Sequence, residues 1–189
     1  MSVHHFTSVG IYASGSHITK AYTKLNDTYF DTAQYNTPGW RDMVTCQEIG
    51  HNFGLGHQDE AFGNYNLGSC MDYTNAPDGG TVNGFNYGPS NRAPNTHDYN
   101  QLSSDYGHTD ATTAFNEMIR AGQRSATIDL MGMNDQWGTP IGYDREGRPN
   151  QFERFLGNDS VTGERETLIT HIFWAPDAQQ KDAPGQHDE

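Results

Sequence analysis

Basic residues are scarce in this chain of 189 residues, which has 11 Lys and Arg against 24 Asp and Glu and a formal net charge of −13. Phosphate contacts need clustered Lys and Arg, so we expect no nucleic-acid partner. Hydrophobic residues make up only 33% of the chain, and no apolar run approaches the roughly 20 residues that span a bilayer. The composition therefore predicts an acidic protein with a small core, many loops and no membrane partner.

Signal-peptide features are missing from the first residues, Met1 to His5, which have neither a basic region nor an apolar stretch. If the protein is secreted, we expect its export signal to lie outside this chain. Aromatic residues are frequent at 12%, and each buries a large area, so the composition is that of a folded protein.

The pattern of apolar residues and turn signals predicts an α+β fold. Thr37 as N-cap and Pro38 at the first helical position favour a helix over 38–53. Further helices are predicted over 96–106 and 111–124. Strands are predicted over 6–13, 137–143, 150–156 and 166–174, with 17–25 either a strand or a short helix. The segments 26–36 and 58–95 are predicted to be mostly irregular.

These elements suggest four parts of the chain. We expect a first domain over 1–110, a helical or linker segment over 111–136, an antiparallel β meander over 137–175 and a disordered tail over 176–189.

One run of residues, Gln47 to His57, has the spacing of a metal site. Gln47 and His51 are four positions apart, so on a helix they lie on one face and can reach the same ion. Glu48 is adjacent and can act as a base, while Gly54 permits a turn that brings His57 back as a further donor. Gln offers an amide oxygen, a weaker zinc donor than imidazole. If Gln47 does not bind, the candidate donors that complete the set are Asp59, Tyr73 and His97.

This run follows the zinc-protease pattern H-E-x-x-H-x-x-G-x-x-H with Gln in place of the first His, and Cys70-Met71-Asp72-Tyr73 looks like a Met-turn. Together they resemble the metzincin metallopeptidases, and more narrowly a bacterial group of secreted metzincin-like proteins. The resemblance implies a metzincin-like catalytic core, followed here by the small β meander. Such a core has a sheet that is short or truncated in this chain, an active-site helix, the Met-turn and a C-terminal helix.

The resemblance also implies a function: an endopeptidase that hydrolyses peptide bonds with a zinc-activated water. One Zn²⁺ would be bound by His51, His57 and Gln47, with Glu48 as general base and Tyr73 as a metal ligand or oxyanion donor. Met71 would pack beneath the metal. The partner would be a peptide or protein substrate, and we expect a monomer. Asp59, Glu60 and Asp72 are candidate Ca²⁺ ligands, but no spaced calcium loop accompanies them.

In sites of this kind the active-site helix and the Met-turn meet beneath the metal, so the resemblance implies a disulfide between Cys46 and Cys70. The alternative is two buried free thiols. A disulfide implies an oxidising compartment and hence a secreted protein. The other histidines, His171 among them, are interpreted as surface or packing residues. The alternative function is a catalytically impaired metzincin-fold module that binds metal or peptide.

Overall fold

The computed structural model describes residues 5–15, 17–108, 137–159 and 163–174, and it shows an α+β protein with a mostly antiparallel sheet. The main strands are β1 (His5–Ser14), β2 (His17–Leu25), β5 (Thr139–Tyr143), β6 (Pro149–Asn158) and β7 (Arg165–Trp174). A small hairpin consists of β3 (Thr81–Val82) and β4 (Phe85–Asn86). The helices are α1 (Asp27–Phe30), α2 (Pro38–Asn52) and α3 (Thr96–Asp105).

The five main strands form a single sheet in the order β2-β1-β7-β6-β5, and every neighbouring pair is antiparallel. The link between the two ends of the chain is the pairing of β1 with β7, which sets Val9 opposite His171. On its other side His171 lies opposite Gln151 of β6. The strands of the predicted meander are therefore continuous with the N-terminal hairpin, and the sheet is assembled by a contact between distant parts of the sequence.

Helix α2 packs against this sheet through β1 and β2. The Thr37 hydroxyl accepts a hydrogen bond from the Trp40 amide and caps the helix, as the sequence predicts. The buried face of α2 joins a largely aromatic core. Its members are Tyr29, Phe30, Tyr35, Trp40, Met43, Val44, Phe62, Tyr73 and Phe173. The α2 members of this core, Trp40, Met43 and Val44, lie in the first half of the helix and precede the candidate metal residues.

The predicted α2 and α3 are confirmed to within a residue at each end, and 17–25 is a strand rather than a helix. The segment 26–36 was predicted to be irregular, which is wrong for residues 27–30, since these form the short helix α1. The Asn26 side chain accepts a hydrogen bond from the Thr28 amide and caps this helix. The predicted helix 111–124 and tail 176–189 lie outside the described residues. No helix in the described ranges is long and apolar enough to cross a membrane.

Candidate metal centre

The two histidines of the motif converge at the end of α2. Gly54, with a φ of +90°, turns the chain directly after the helix, a conformation that glycine adopts without strain. The turn brings His57 back towards the last turn of α2, and His51 Nε2 lies 2.9 Å from His57 Nε2. His51 is buried, and the side chain of His57 is 12% exposed.

Hydrogen bonds fix which nitrogen of each ring carries a proton. The Leu55 carbonyl can only accept, so His51 Nδ1, 2.7 Å from it, is the donor. His57 Nδ1 donates to Glu60 Oε1 at 2.7 Å. In the neutral rings both Nε2 atoms therefore present lone pairs to each other. Burial lowers the pKa of His51 well below its usual value, with His57 and His171 adding to the effect, so this pair is suited to share a cation.

A third imidazole, that of His171 on β7, lies beside this pair. Its ring stacks on His51 with centroids 4.7 Å apart. Burial, followed by the charge of His57, lowers the pKa of His171 to about 4, and Gln151 Nε2 is 3.1 Å from its Nε2. The interpretation of His171 as a surface or packing residue overlooked this proximity to the motif. In the sequence, His171 alternates with Ile169 and Phe173, which places all three side chains on the same face of a strand. That alternation was the one local signal that His171 faces the protein interior.

The remaining motif residues of α2 lie deeper in the protein. Glu48 is 1% exposed, neither carboxylate oxygen has a hydrogen-bond partner, and burial raises its pKa well above the usual value. Gln47 is fully buried; its Nε2 donates to the Cys70 carbonyl at 3.1 Å, and its Oε1 has no partner. The structure thus directs the Gln47 amide group towards the Cys70 backbone.

The disulfide between Cys46 and Cys70 is present, so the prediction of a covalent link between α2 and the following loop is confirmed. Met71 is completely buried against the same helix. A Cβ on Gly50 would overlap Met71 Sδ, so glycine at this position lets the Met71 side chain lie directly against the helix. Sequence analysis did not identify this role of Gly50. The contact packs Met71 against the helical turn that carries His51.

Tyr73 is buried, with its ring centroid 4.7 Å from that of His57 and the same distance from that of Phe173. Burial raises the pKa of its hydroxyl well above the usual value, with Glu60 and Glu48 adding to the effect, so the phenol is neutral at pH 7. Of the other candidate donors, Asp59 accepts from the Ala61 amide and from Asn64, and the His97 side chain is 65% exposed. Neither residue lines the cavity beside His51.

That cavity has a volume of about 430 Å³ and lies between the sheet and the turn after α2. Its titratable lining consists of His51, His57, His171, Glu60 and Tyr143. Much of the remaining lining is aliphatic and consists of Ile11, Ala13, Ile18, Leu55 and Ile169. The histidine cluster is thus adjacent to a space that suits an apolar side chain.

Within the described ranges, no group of three or more His, Cys, Asp or Glu side chains has the arrangement of a metal site. A tetrahedral zinc ion with Zn–N bonds of about 2.0–2.1 Å separates two nitrogen ligands by roughly 3.3 Å, so His51 and His57 would have to move apart by about 0.4 Å. No family model matches the chain, and no curated protein or solved structure is significantly similar to it. The function of these residues is therefore inferred from their local geometry.

Proposed function

We propose that this protein is a metal-dependent endopeptidase of the metzincin type, with zinc bound by His51 and His57. The observation that carries the proposal is the 2.9 Å approach of their Nε2 atoms, with both Nδ1 atoms already committed to other partners. Two neutral imidazoles in this state repel each other unless a proton or a cation lies between them. The low pKa of His51 disfavours the proton.

The residues present fit a zinc ion by their chemistry, since imidazole is a common zinc ligand. Glu48, three residues before His51, adds a buried carboxyl group whose oxygens have no hydrogen-bond partner. For the third donor we favour His171 over Gln47, although the three histidines do not form a metal-binding arrangement as they stand and His171 would have to move to reach the ion. His171 lines the same cavity as His51 and His57, whereas the Gln47 amide is hydrogen-bonded to the Cys70 carbonyl. Zinc bound there would polarise a scissile carbonyl and lower the pKa of a water molecule.

The protein's own groups have separate tasks in this proposal. The Leu55 carbonyl and Glu60 hold the two imidazoles in the tautomer that directs Nε2 towards the ion. Glu48, one helical turn before His51, takes a proton from water and passes it to the leaving amine. Burial raises the pKa of Glu48, which makes its carboxylate a stronger base than an exposed one. The aliphatic lining of the cavity favours peptides with an apolar side chain next to the cleaved bond.

The test is cleavage of unfolded casein by wild type and by Glu48→Gln, with zinc content measured on the same samples. We expect activity that a chelator removes and zinc restores. Glu48→Gln should lower the rate by about 10²–10⁴-fold, as loss of a general base does, with zinc content unchanged. Asp105→Asn, a change at an exposed carboxylate on α3, is the matched control and should retain activity. Full activity in Glu48→Gln would contradict the proposed role of Glu48.

The second candidate is a catalytically impaired module that binds metal or peptide. Two observations favour it: Gln47 is not directed to the histidines, and Glu48 does not line the cavity. This alternative predicts zinc binding without proteolysis at any zinc concentration. In that case Gln47→His, which restores a complete motif, should raise zinc affinity and produce activity.

We also propose that the protein acts outside the cell. The observation that supports this is the disulfide between Cys46 and Cys70, a bond that persists in oxidising compartments.

A further inference from the structure

A second set of polar groups, separate from the histidines, lies in the loop between His57 and Tyr73. Three of its side-chain oxygens are buried and have no hydrogen-bond partner: Asn64 Oδ1, Asn66 Oδ1 and Asp72 Oδ1. Asn66 is 1% exposed, and Asp72 is completely buried. Buried polar atoms are nearly always satisfied in folded proteins, so three such oxygens within one short loop require an explanation.

The orientation of the two amides is fixed by their partners. Asn66 Nδ2 donates to two backbone carbonyls, those of Ala76 at 3.0 Å and Pro89 at 2.7 Å. Asn64 Nδ2 donates to the Asp59 carboxylate at 3.1 Å. Carbonyls and carboxylates accept only, so rotating either amide by half a turn would place oxygen against oxygen. The unpartnered atoms are therefore oxygens and not misassigned nitrogens.

Further bonds connect the Asp59, Asn64 and Asp72 parts of the loop. Asp72 Oδ2 accepts from the Leu67 amide and from Asn91 Nδ2, both at 2.8 Å, which leaves Oδ1 as the unused oxygen. The Asp59 carbonyl accepts from the Tyr73 amide at 3.0 Å, and Asp59 forms a backbone bridge to Asp72. The two ends of the loop thus lie side by side, with Asn64 held to the Asp59 end.

The charge of the loop is negative. Two of its carboxylates, those of Asp59 and Asp72, belong to residues whose backbones are bridged side by side. Asp59 has a basic neighbour in Arg145, whose Nη1 is 4.0 Å from Oδ1, but that guanidinium side chain is 62% exposed.

We propose that this loop binds a calcium ion through Asp72 Oδ1, Asn66 Oδ1, Asn64 Oδ1 and the Asp59 carboxylate. These four donors are carboxylate and amide oxygens, which suit a hard cation and disfavour zinc. Ca²⁺ accepts irregular sets of six to eight oxygens, whereas Mg²⁺ demands near-octahedral geometry and retains its waters. The ion would brace the loop that carries Glu60, the partner of His57, and Met71.

The test uses the full chain after its metal ions have been removed with a chelator. Tb³⁺ is titrated in, and its luminescence is sensitised by Tyr65 and Tyr73, which are adjacent in sequence to the proposed ligands. Ca²⁺ is then added as a competitor. We expect one ion per chain, displacement by Ca²⁺ at lower concentration than by Mg²⁺, and a higher Tm with Ca²⁺. Asp59→Asn and Asn64→Ala, both at partly exposed positions, should weaken binding at least tenfold.

Two controls separate this site from the histidines. Asp105→Asn removes an exposed carboxylate from α3, and His57→Ala removes a proposed zinc ligand. Both should bind Ca²⁺ as wild type does. The proposal is overturned if the stripped protein shows neither Tb³⁺ luminescence that Ca²⁺ displaces nor a Ca²⁺-dependent rise in Tm. Wild-type affinity in both loop variants, or loss of calcium binding in His57→Ala, would also overturn it.

Discussion

Reduction of the disulfide between Cys46 and Cys70 should destabilise the protein by an amount that follows from the length of the closed loop. The two residues are 24 positions apart. In the chain-entropy model, opening a loop of this size raises the entropy of the unfolded chain and lowers its free energy by about 3.5 kcal/mol at 25 °C. The native contacts of Cys70 and Met71 with Leu55 remain after reduction, so the effect should appear mainly in the unfolded state.

The assay is urea unfolding of metal-free protein, with and without a phosphine reductant. With an m-value of about 2 kcal/mol per molar urea, the midpoint should fall by about 1.7 M. In thermal unfolding, a chain of this size loses about 2–4 °C in Tm per kcal/mol, so the expected fall is about 7–14 °C. The double variant Cys46→Ala/Cys70→Ala is the matched control, and its midpoint should not respond to the reductant.

The reasoning fails if wild type keeps its urea midpoint after thiol titration has shown that both cysteines are reduced. Such a result would mean that the unfolded chain is already held compact, or that the reduced native state gains a compensating stability.

Three further predictions concern the candidate metal centre. Gly50→Ala should lower the free energy of unfolding by about 1–2 kcal/mol, because the added methyl group overlaps the buried Met71 side chain. Gly56→Ala is the control: a Cβ there has no neighbour within 4 Å, so the free energy of unfolding should change by less than about 0.5 kcal/mol. Urea unfolding of both variants measures the difference. His171, with a folded pKa of about 4 against 6.5 when unfolded, binds its proton more readily in the unfolded chain. Protonation of His171 should therefore cost the metal-free protein about 3 kcal/mol as pH falls from 6.5 to 4, and His171→Gln should remove this part of the loss in urea titrations over that range. Gln47→His should raise zinc affinity at least tenfold in competition with a chromogenic chelator, and an unchanged affinity would show that position 47 cannot reach the ion.

The parts of the structure that sequence predicted well are local. Helix α2 is specified by Thr37 and Pro38 at its start and by the turn at Gly54, all within a few residues of the elements they define. The convergence of His51 and His57 follows from the same local signals, because a helix turn and one sharp reversal are enough to bring them together. The disulfide depended on the resemblance to a known arrangement, and it is present.

The parts that sequence did not predict arise from contacts between distant segments. His171 reaches His51 only because β7 pairs with β1, and no pattern near either strand specifies that pairing or its register. The same holds for the oxygens of Asn64 and Asn66. Their amide groups become identifiable as candidate ligands only when their other hydrogen-bond partners are known, since isolated asparagines in a loop are ordinary turn residues.

The most direct test of the account is a crystal structure of the zinc-soaked protein with an anomalous difference map at the zinc absorption edge. The account predicts one strong peak about 2.1 Å from the Nε2 atoms of both His51 and His57. A zinc peak elsewhere, with these two nitrogens still about 2.9 Å apart and no peak between them, would contradict it.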